Sequence, residues 1–232
     1  MIINGLQKIS LLDYPEKTAA TIFFAGCNFR CPFCHNGDLV LNPEKADKID
    51  EEEIYDFLNK RRGLLDGVCI TGGEPFLKKD LLKFISNIKE LGFLVKVDTN
   101  GSFPNRLIEL IDSKLIDYIA MDIKNSKEKY LVTAGLPKMM EEDTLKRISR
   151  SIDVLIKSSI DYEFRTTVTK ELHNLEDIKN IGEWLNGSKK YVIQNYVDSN
   201  KTIKEGYSSH EKDWLIEAKN ILNQYIRDVN IK

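Results

Sequence analysis

Strand-like and helix-like segments alternate about six times along this chain of 232 residues, and no other feature restricts its fold as strongly. Short apolar runs predict strands at 19–24, 67–71, 93–98, 118–122, 162–168 and 191–197. Between them, apolar residues recurring at helical spacing predict helices over 50–60, 77–91, 104–113, 141–158 and 175–185, with a C-terminal helix around 214–225. The boundaries have local reasons. Asp50 can cap the first helix, whose opening turn carries Glu51, Glu52 and Glu53. Pro104 suits a first helical turn, and Gly92 and Gly187 stop the helices before them. The stretch 124–138 is polar and reads as irregular. Alternation of this kind argues for a parallel sheet with helices outside. A complete eight-fold barrel typically needs ~250 residues. The expectation is therefore an α/β fold, a partial (β/α)6 barrel with parallel strands and outer helices, in a single domain over residues 1–232.

Charge and hydropathy exclude several classes of function. Lys and Arg total 34 against 36 Asp and Glu, a net charge of −2, which disfavours binding nucleic acid through the general surface. No apolar stretch approaches the ~18 residues of a membrane-spanning helix. The opening residues lack the basic-then-apolar order of a secretory leader, so a cytoplasmic protein is expected.

In a reducing compartment, clustered cysteines bind metal or do redox chemistry more often than they pair. Cys27, Cys31 and Cys34 fall within eight residues with the spacing C-x3-C-x2-C. Thiolates are soft ligands suited to zinc, copper(I) or iron–sulfur. Three of them suit a four-iron cluster that keeps one iron open for chemistry, whereas a structural zinc site would need a fourth ligand, for which His35 is the nearest candidate. The spacing alone leaves both open. Cys69 lies in an apolar strand segment and reads as packing.

The unusual residues share a position. The cysteine loop, Gly72-Gly73-Glu74-Pro75, Asp98-Thr99-Asn100-Gly101 and Asp122-Ile123-Lys124 each follow a predicted strand. Parallel α/β sheets bind ligands at that end of their strands, so these groups are expected on one rim.

The cysteine spacing with Phe33 just before the third Cys, followed by Gly72-Gly73-Glu74-Pro75, resembles the signature of the radical S-adenosylmethionine superfamily. Cys34-His35-Asn36, Asp98-Thr99-Asn100-Gly101 and Met121-Asp122-Ile123-Lys124 are similar to the glycyl-radical-enzyme activases. The opening from Gly5 to Pro15 resembles a longer branch named for activating anaerobic ribonucleoside-triphosphate reductase. The resemblance implies that Cys27, Cys31 and Cys34 ligate a [4Fe–4S] cluster whose open iron is chelated by S-adenosylmethionine. The reduced cluster cleaves that cofactor, and the radical so formed takes hydrogen from a substrate.

The resemblance also implies the remaining roles. Gly72 and Gly73 would let the backbone approach the methionyl amine, with Glu74 accepting from it, and Phe33 would lie near the adenine. Asp98, Thr99 and Asp122 would hold a monovalent cation beside the methionyl carboxylate, assisted by Lys124. Arg165, on a predicted strand, would contact the cofactor or a partner loop, or form a structural ion pair. Where the activases place a histidine near the adenosine this chain has Val197, and Gln194 is the candidate substitute. His173 and His210 stand in polar segments and read as surface residues. The implied partners are a glycyl radical enzyme, with anaerobic ribonucleotide reductase as the named candidate, and an electron donor of flavodoxin or ferredoxin type. The stretches 124–138 and 199–211 could rim the site for such a partner. Two rival readings are a member of the same superfamily acting on a small molecule or another protein residue, and a non-catalytic iron–sulfur or zinc protein.

Overall fold

A computed structural model describes residues 1–199 and 202–232; Asn200 and Lys201, in the expected polar rim, lie outside the described residues. The strands are β1 (Ile2–Ile3), β2 (Gly5–Ser10), β3 (Ala19–Phe24), β4 (Ile49–Asp50), β5 (Gly67–Gly72), β6 (Leu94–Thr99), β7 (Tyr118–Asp122), β8 (Asp161–Val168), β9 (Lys190–Asn195) and β10 (Asp228–Ile231). The helices are α1 (Gly37–Leu41), α2 (Glu51–Asn59), α3 (Leu81–Glu90), α4 (Pro104–Asp112), α5 (Tyr130–Ala134), α6 (Glu141–Lys157), α7 (Leu175–Trp184) and α8 (Lys212–Leu222). Eight strands hydrogen-bond in the order β10-β9-β8-β7-β6-β5-β3-β2, and β1 pairs separately with β4. Among the described residues no helix is long and apolar enough to cross a membrane.

The chain groups into two compact units, residues 1–28, 38–99 and 105–120 in the first and 29–37, 100–104 and 121–232 in the second. In the first, β3 runs parallel to β5 and β5 parallel to β6. Apart from Phe23, every residue of β3 is buried, as expected for a parallel strand covered on both faces. Phe24 packs edge-on against Phe84 of α3, and α2 buries Ile54 and Leu58. In the second unit β8, β9 and β10 are parallel neighbours. There α7 opens with a capping box: Asn174 Oδ1 accepts from the Asp177 N–H and Asp177 Oδ2 accepts from the Asn174 N–H, both at 2.9 Å.

Several expectations need correction. The helix expected over 77–91 is shorter: Pro75–Leu77 form a 3-10 turn, and α3 starts only at Leu81. Asp50 stands at the N-cap of α2 with extended backbone but makes no side-chain cap bond. The stretch 124–138 is not irregular. It holds a 3-10 turn at Lys127–Lys129 and then α5, which buries Tyr130, Leu131, Thr133 and Ala134. The strand expected over 191–197 stops at Asn195, and β10 follows it at the far end of the sheet. The alternation is also not uniform, because β2 pairs antiparallel with β3 and forms an edge.

Candidate functional site

In the first unit, β3 delivers Gly26 and Cys27, and β5 delivers Gly72, Gly73 and Glu74 beside them. The register aligns Phe24 with Gly72. The Gly73 N–H donates to the Phe24 carbonyl at 2.8 Å, the Glu74 N–H to the Gly26 carbonyl at 2.9 Å, and the Gly26 N–H to the Leu39 carbonyl at 2.8 Å. The Asn4 side-chain carbonyl takes the Ala25 N–H at 2.8 Å. These hydrogen bonds pin the entry to the cysteine loop. A Cβ on Gly72, whose φ is +120°, would stand 2.2 Å from the Phe24 oxygen; one on Gly73 would stand 1.9 Å from the Gly26 oxygen. Both glycines are therefore required by the chain's own close approach, before any ligand is considered.

Glu74 is fully buried. Its Oε1 accepts from the Phe76 N–H at 3.1 Å, capping the 3-10 turn, and from the Thr99 hydroxyl at 2.9 Å. These bonds tie the Gly-Gly-Glu-Pro turn to the end of β6. On β6, Lys96 is 1% exposed; its ammonium donates to the Asp98 carboxylate and lies 3.7 Å from the Cys69 sulfur. Sequence reasoning passed over Lys96. A lysine flanked by Val95 and Val97 in a strand was the available signal, since a buried ammonium needs a partner.

In the second unit the loop carrying Cys31, Phe33 and Cys34 is clamped from both sides. The Arg30 N–H donates to the Ala134 carbonyl at the end of α5 at 2.9 Å, and the Lys204 N–H to the Pro32 carbonyl at 2.8 Å. Gly135, with φ +65°, ends α5 against Arg30; a Cβ there would meet the Arg30 oxygen at 2.0 Å. Cys31 is buried, Cys34 half-buried, and the Cys34 N–H closes a turn onto the Cys31 carbonyl at 3.0 Å. Phe33 is buried between the rings of His173 and Tyr207, with centroids 6.4 and 6.1 Å away, and His35 stacks on Tyr196 at 5.3 Å. Burial pushes the Cys34 thiol up, against the opposing pull of Lys124 and Arg30.

Asp122, at the end of β7, receives Arg165 Nε at 2.5 Å and Lys124 Nζ at 2.9 Å. Burial alone would raise its carboxyl, but the two cations outweigh that and hold it well below the usual carboxylate range. Lys124 is likewise desolvated, yet Asp122 and the nearby Cys31 keep it protonated well above the usual lysine range. Arg165 thus makes an ion pair, and its carbonyl also takes the Ile123 N–H at 2.8 Å. Gln194 lies opposite Thr167 in the β8–β9 register, its Oε1 3.4 Å from the Thr167 hydroxyl, whereas Val197 is 70% exposed.

His173 is a clear correction. It is buried, not on the surface. Its Nδ1 accepts the Thr169 N–H at 3.2 Å, so Nε2 carries the proton and donates to the Lys124 carbonyl at 2.9 Å. Desolvation pushes its pKa down to about 4. Lying just before the capping box of α7, it braces both Phe33 and the Asp122–Lys124 turn. His210 is half-buried and stacks on Trp214 at 3.4 Å.

Among the described residues, no group of three or more His, Cys, Asp or Glu is assembled as a ready metal cage. None of the four cysteines is in a disulfide.

Comparison with known proteins follows the same lines. The radical SAM superfamily model matches residues 21–185. A protein of Methanocaldococcus jannaschii named as a glycyl-radical enzyme activating enzyme is 35% identical over 244 residues, covering 100% of this chain and 95% of its own. A second protein of that organism, named likewise, is 27% identical over 233 residues, covering 99% of this chain and 86% of its own. A radical SAM methyltransferase from Sphaerobacter thermophilus superposes with a TM-score of 0.72 over 94% of this chain and 67% of that one, at 13% identity. That remote likeness bears on the fold: a mixed α/β structure with a mostly parallel sheet flanked by helices, as expected for a partial (β/α)6 barrel. The chain belongs to the radical SAM superfamily, a family of S-adenosylmethionine-cleaving enzymes, and is related to the glycyl-radical-enzyme activating enzymes.

Proposed function

We propose that this protein installs a glycyl radical on a partner enzyme, with anaerobic ribonucleoside-triphosphate reductase as the first candidate, drawing its electron from a flavodoxin- or ferredoxin-type donor. The observation that carries this reading is the C-x3-C-x2-C loop, its three cysteines outside any disulfide, in a chain aligned end to end with an activating-enzyme relative. Cys27, Cys31 and Cys34 would hold a [4Fe–4S] cluster. The donor set fits that group: three soft sulfur ligands suit an iron–sulfur site with an open position. When bound, the cluster and S-adenosylmethionine supply one-electron cleavage of the cofactor and hydrogen-atom abstraction from the substrate.

The chain's own residues position and shield. Gly72 and Gly73 bring bare main chain to the end of β5, and Glu74 and Thr99 hold that turn in place. Phe33, flanked by His173 and Tyr207, offers an apolar wall that keeps water from the cysteine loop. Lys124 and Arg165 both bond the Asp122 carboxylate, and this cationic pair would meet the methionyl carboxylate. Gln194 remains the candidate for a ribose contact.

The test is anaerobic. The protein is reconstituted with iron and sulfide, reduced and given S-adenosylmethionine, and 5′-deoxyadenosine is measured against a Cys31→Ala control. Cys31-dependent product is expected, and a glycyl-radical doublet in electron spin resonance is expected when anaerobic ribonucleotide reductase is added. Cofactor cleavage without that doublet would refute the proposed partner. A fully loaded, reduced cluster yielding no product with or without the reductase would refute the activity.

A further inference from the structure

The resemblance to activases implies a monovalent metal ion shared by Asp98 and Asp122, and the residues here do not fit one. On β6, side chains alternate between faces, so Lys96 and Asp98 fall on the same face, with Val95 and Val97 on the other. Lys96 is 1% exposed and its ammonium donates to the Asp98 carboxylate. Position 96 lies opposite Cys69 in the β5–β6 register, with the sulfur 3.7 Å from Nζ. An ammonium so deeply buried is retained only against an ionised partner, and Asp98 is that partner. Within the second unit, Asp122 meets two cations, Arg165 and Lys124. Neither carboxylate is short of positive charge. A metal ion placed on Asp98 would have to displace, or crowd against, a cation already bonded to it.

We propose that Lys96 is a built-in counter-cation for Asp98, a positioning residue that takes the place of the monovalent metal ion and makes cofactor binding independent of one. The proposal rests on the S-adenosylmethionine reading above. A tethered ammonium cannot be exchanged or diluted away, so binding should not respond to which small cation is in solution.

The experiment measures S-adenosylmethionine affinity of the reconstituted protein by calorimetry in potassium, sodium, or tetramethylammonium chloride at equal ionic strength. Tetramethylammonium is too bulky to act as a site-bound ion. The expected result is an affinity that differs less than about 2-fold among the three salts. A loss of about 10-fold or more in tetramethylammonium, restored by potassium, would overturn the proposal while leaving the cofactor reading intact. No binding in any salt would overturn both. Lys96→Met supplies the converse. It leaves Asp98 without its ammonium, and affinity should then fall at least about 10-fold in tetramethylammonium and recover in potassium. An equal loss in all three salts would mean that Lys96 serves packing alone, and would also overturn the proposal. Should Lys96→Met not fold, the double variant Lys96→Met with Asp98→Asn removes both charges together, and the wild-type salt comparison decides the question without either variant.

Discussion

Gly73→Ala adds one carbon where the chain has no room for it. The new Cβ would stand 1.9 Å from the Gly26 carbonyl oxygen, 2.5 Å from its carbon and 3.2 Å from the Cys27 nitrogen. Restoring a tolerable separation of about 3.0 Å requires the Gly26 backbone to retreat by about 1.1 Å. That retreat strains the bonds from the Gly73 N–H to Phe24 and from the Glu74 N–H to Gly26. Overpacking costs about 1–3 kcal/mol, and each weakened backbone bond adds about 0.5–1.5 kcal/mol. A central expectation of about 4 kcal/mol lowers Tm by roughly 8–16 °C in a chain of this size. Because Gly26 leads directly into Cys27, iron incorporation should fall as well. The assay is calorimetric melting of the purified variant together with iron and sulfide content after anaerobic reconstitution. Gly5→Ala is the control: the nearest atoms its Cβ would meet belong to the Phe23 side chain, at an ordinary 3.4 Å and beyond. It should change stability by no more than about 0.5 kcal/mol. A Gly73→Ala protein that melts within about 2 °C of wild type and takes up full iron would refute the argument that the chain itself demands this glycine.

Three further outcomes follow from the same geometry. Asp122→Asn should cost about 2–3 kcal/mol at neutral pH by leaving Arg165 and Lys124 without their anion, and should weaken S-adenosylmethionine binding with iron content retained. The folded carboxyl titrates below its unfolded value, so its contribution is full above about pH 4 and shrinks progressively as pH falls toward the lower folded value; a wild-type-to-variant gap in urea unfolding that does not narrow at all between about pH 5 and pH 2 would count against the pairing. His173 stays neutral when folded, with a pKa of about 4, while the unfolded chain gains a proton below about pH 6.5. Wild-type stability should therefore fall between about pH 6.5 and 4, and His173→Gln should remove about 2–3 kcal/mol of that slope, read by urea unfolding at pH 7.5 and 4.5. Equal pH profiles for the two proteins would show that the ring is not desolvated. Cys69→Ser should keep full iron while losing about 1–3 kcal/mol, since a hydroxyl replaces a thiol at a fully buried position; loss of iron would make Cys69 a ligand.

The legible parts of the fold were those with long, regular patterns. The apolar runs at β3, β5 and β7 and the stripe on α6 stood out because a strand covered on both faces, or a helix of 17 residues, leaves a clear periodic trace. Short or half-exposed elements left none. β2, Gly5–Ser10, exposes three consecutive residues along the sheet edge; α5 has five residues and β10 four. The cysteine loop and the turns after β5, β6 and β7 were readable as candidate chemistry because their residue types are unusual for strand ends.

The order of residues by itself determined the alternating α/β plan, the three-thiol loop and which motifs follow which strands, because those depend on local periodicity and spacing. Only the tertiary structure decided the partners. His173 sits in the polar run Lys170-Glu171-Leu172-His173-Asn174, yet it is buried because its two ring nitrogens bond backbone atoms of Thr169 and Lys124. Lys96 looks like an intruder in an apolar strand, and becomes a counter-charge only once the pleat sets it on the same face as Asp98. Gly73 reads as a ligand-facing glycine until the backbone of Gly26 is found where its side chain would be. Charge balance and steric exclusion act through space, between residues whose separation along the chain carries no trace of their contact.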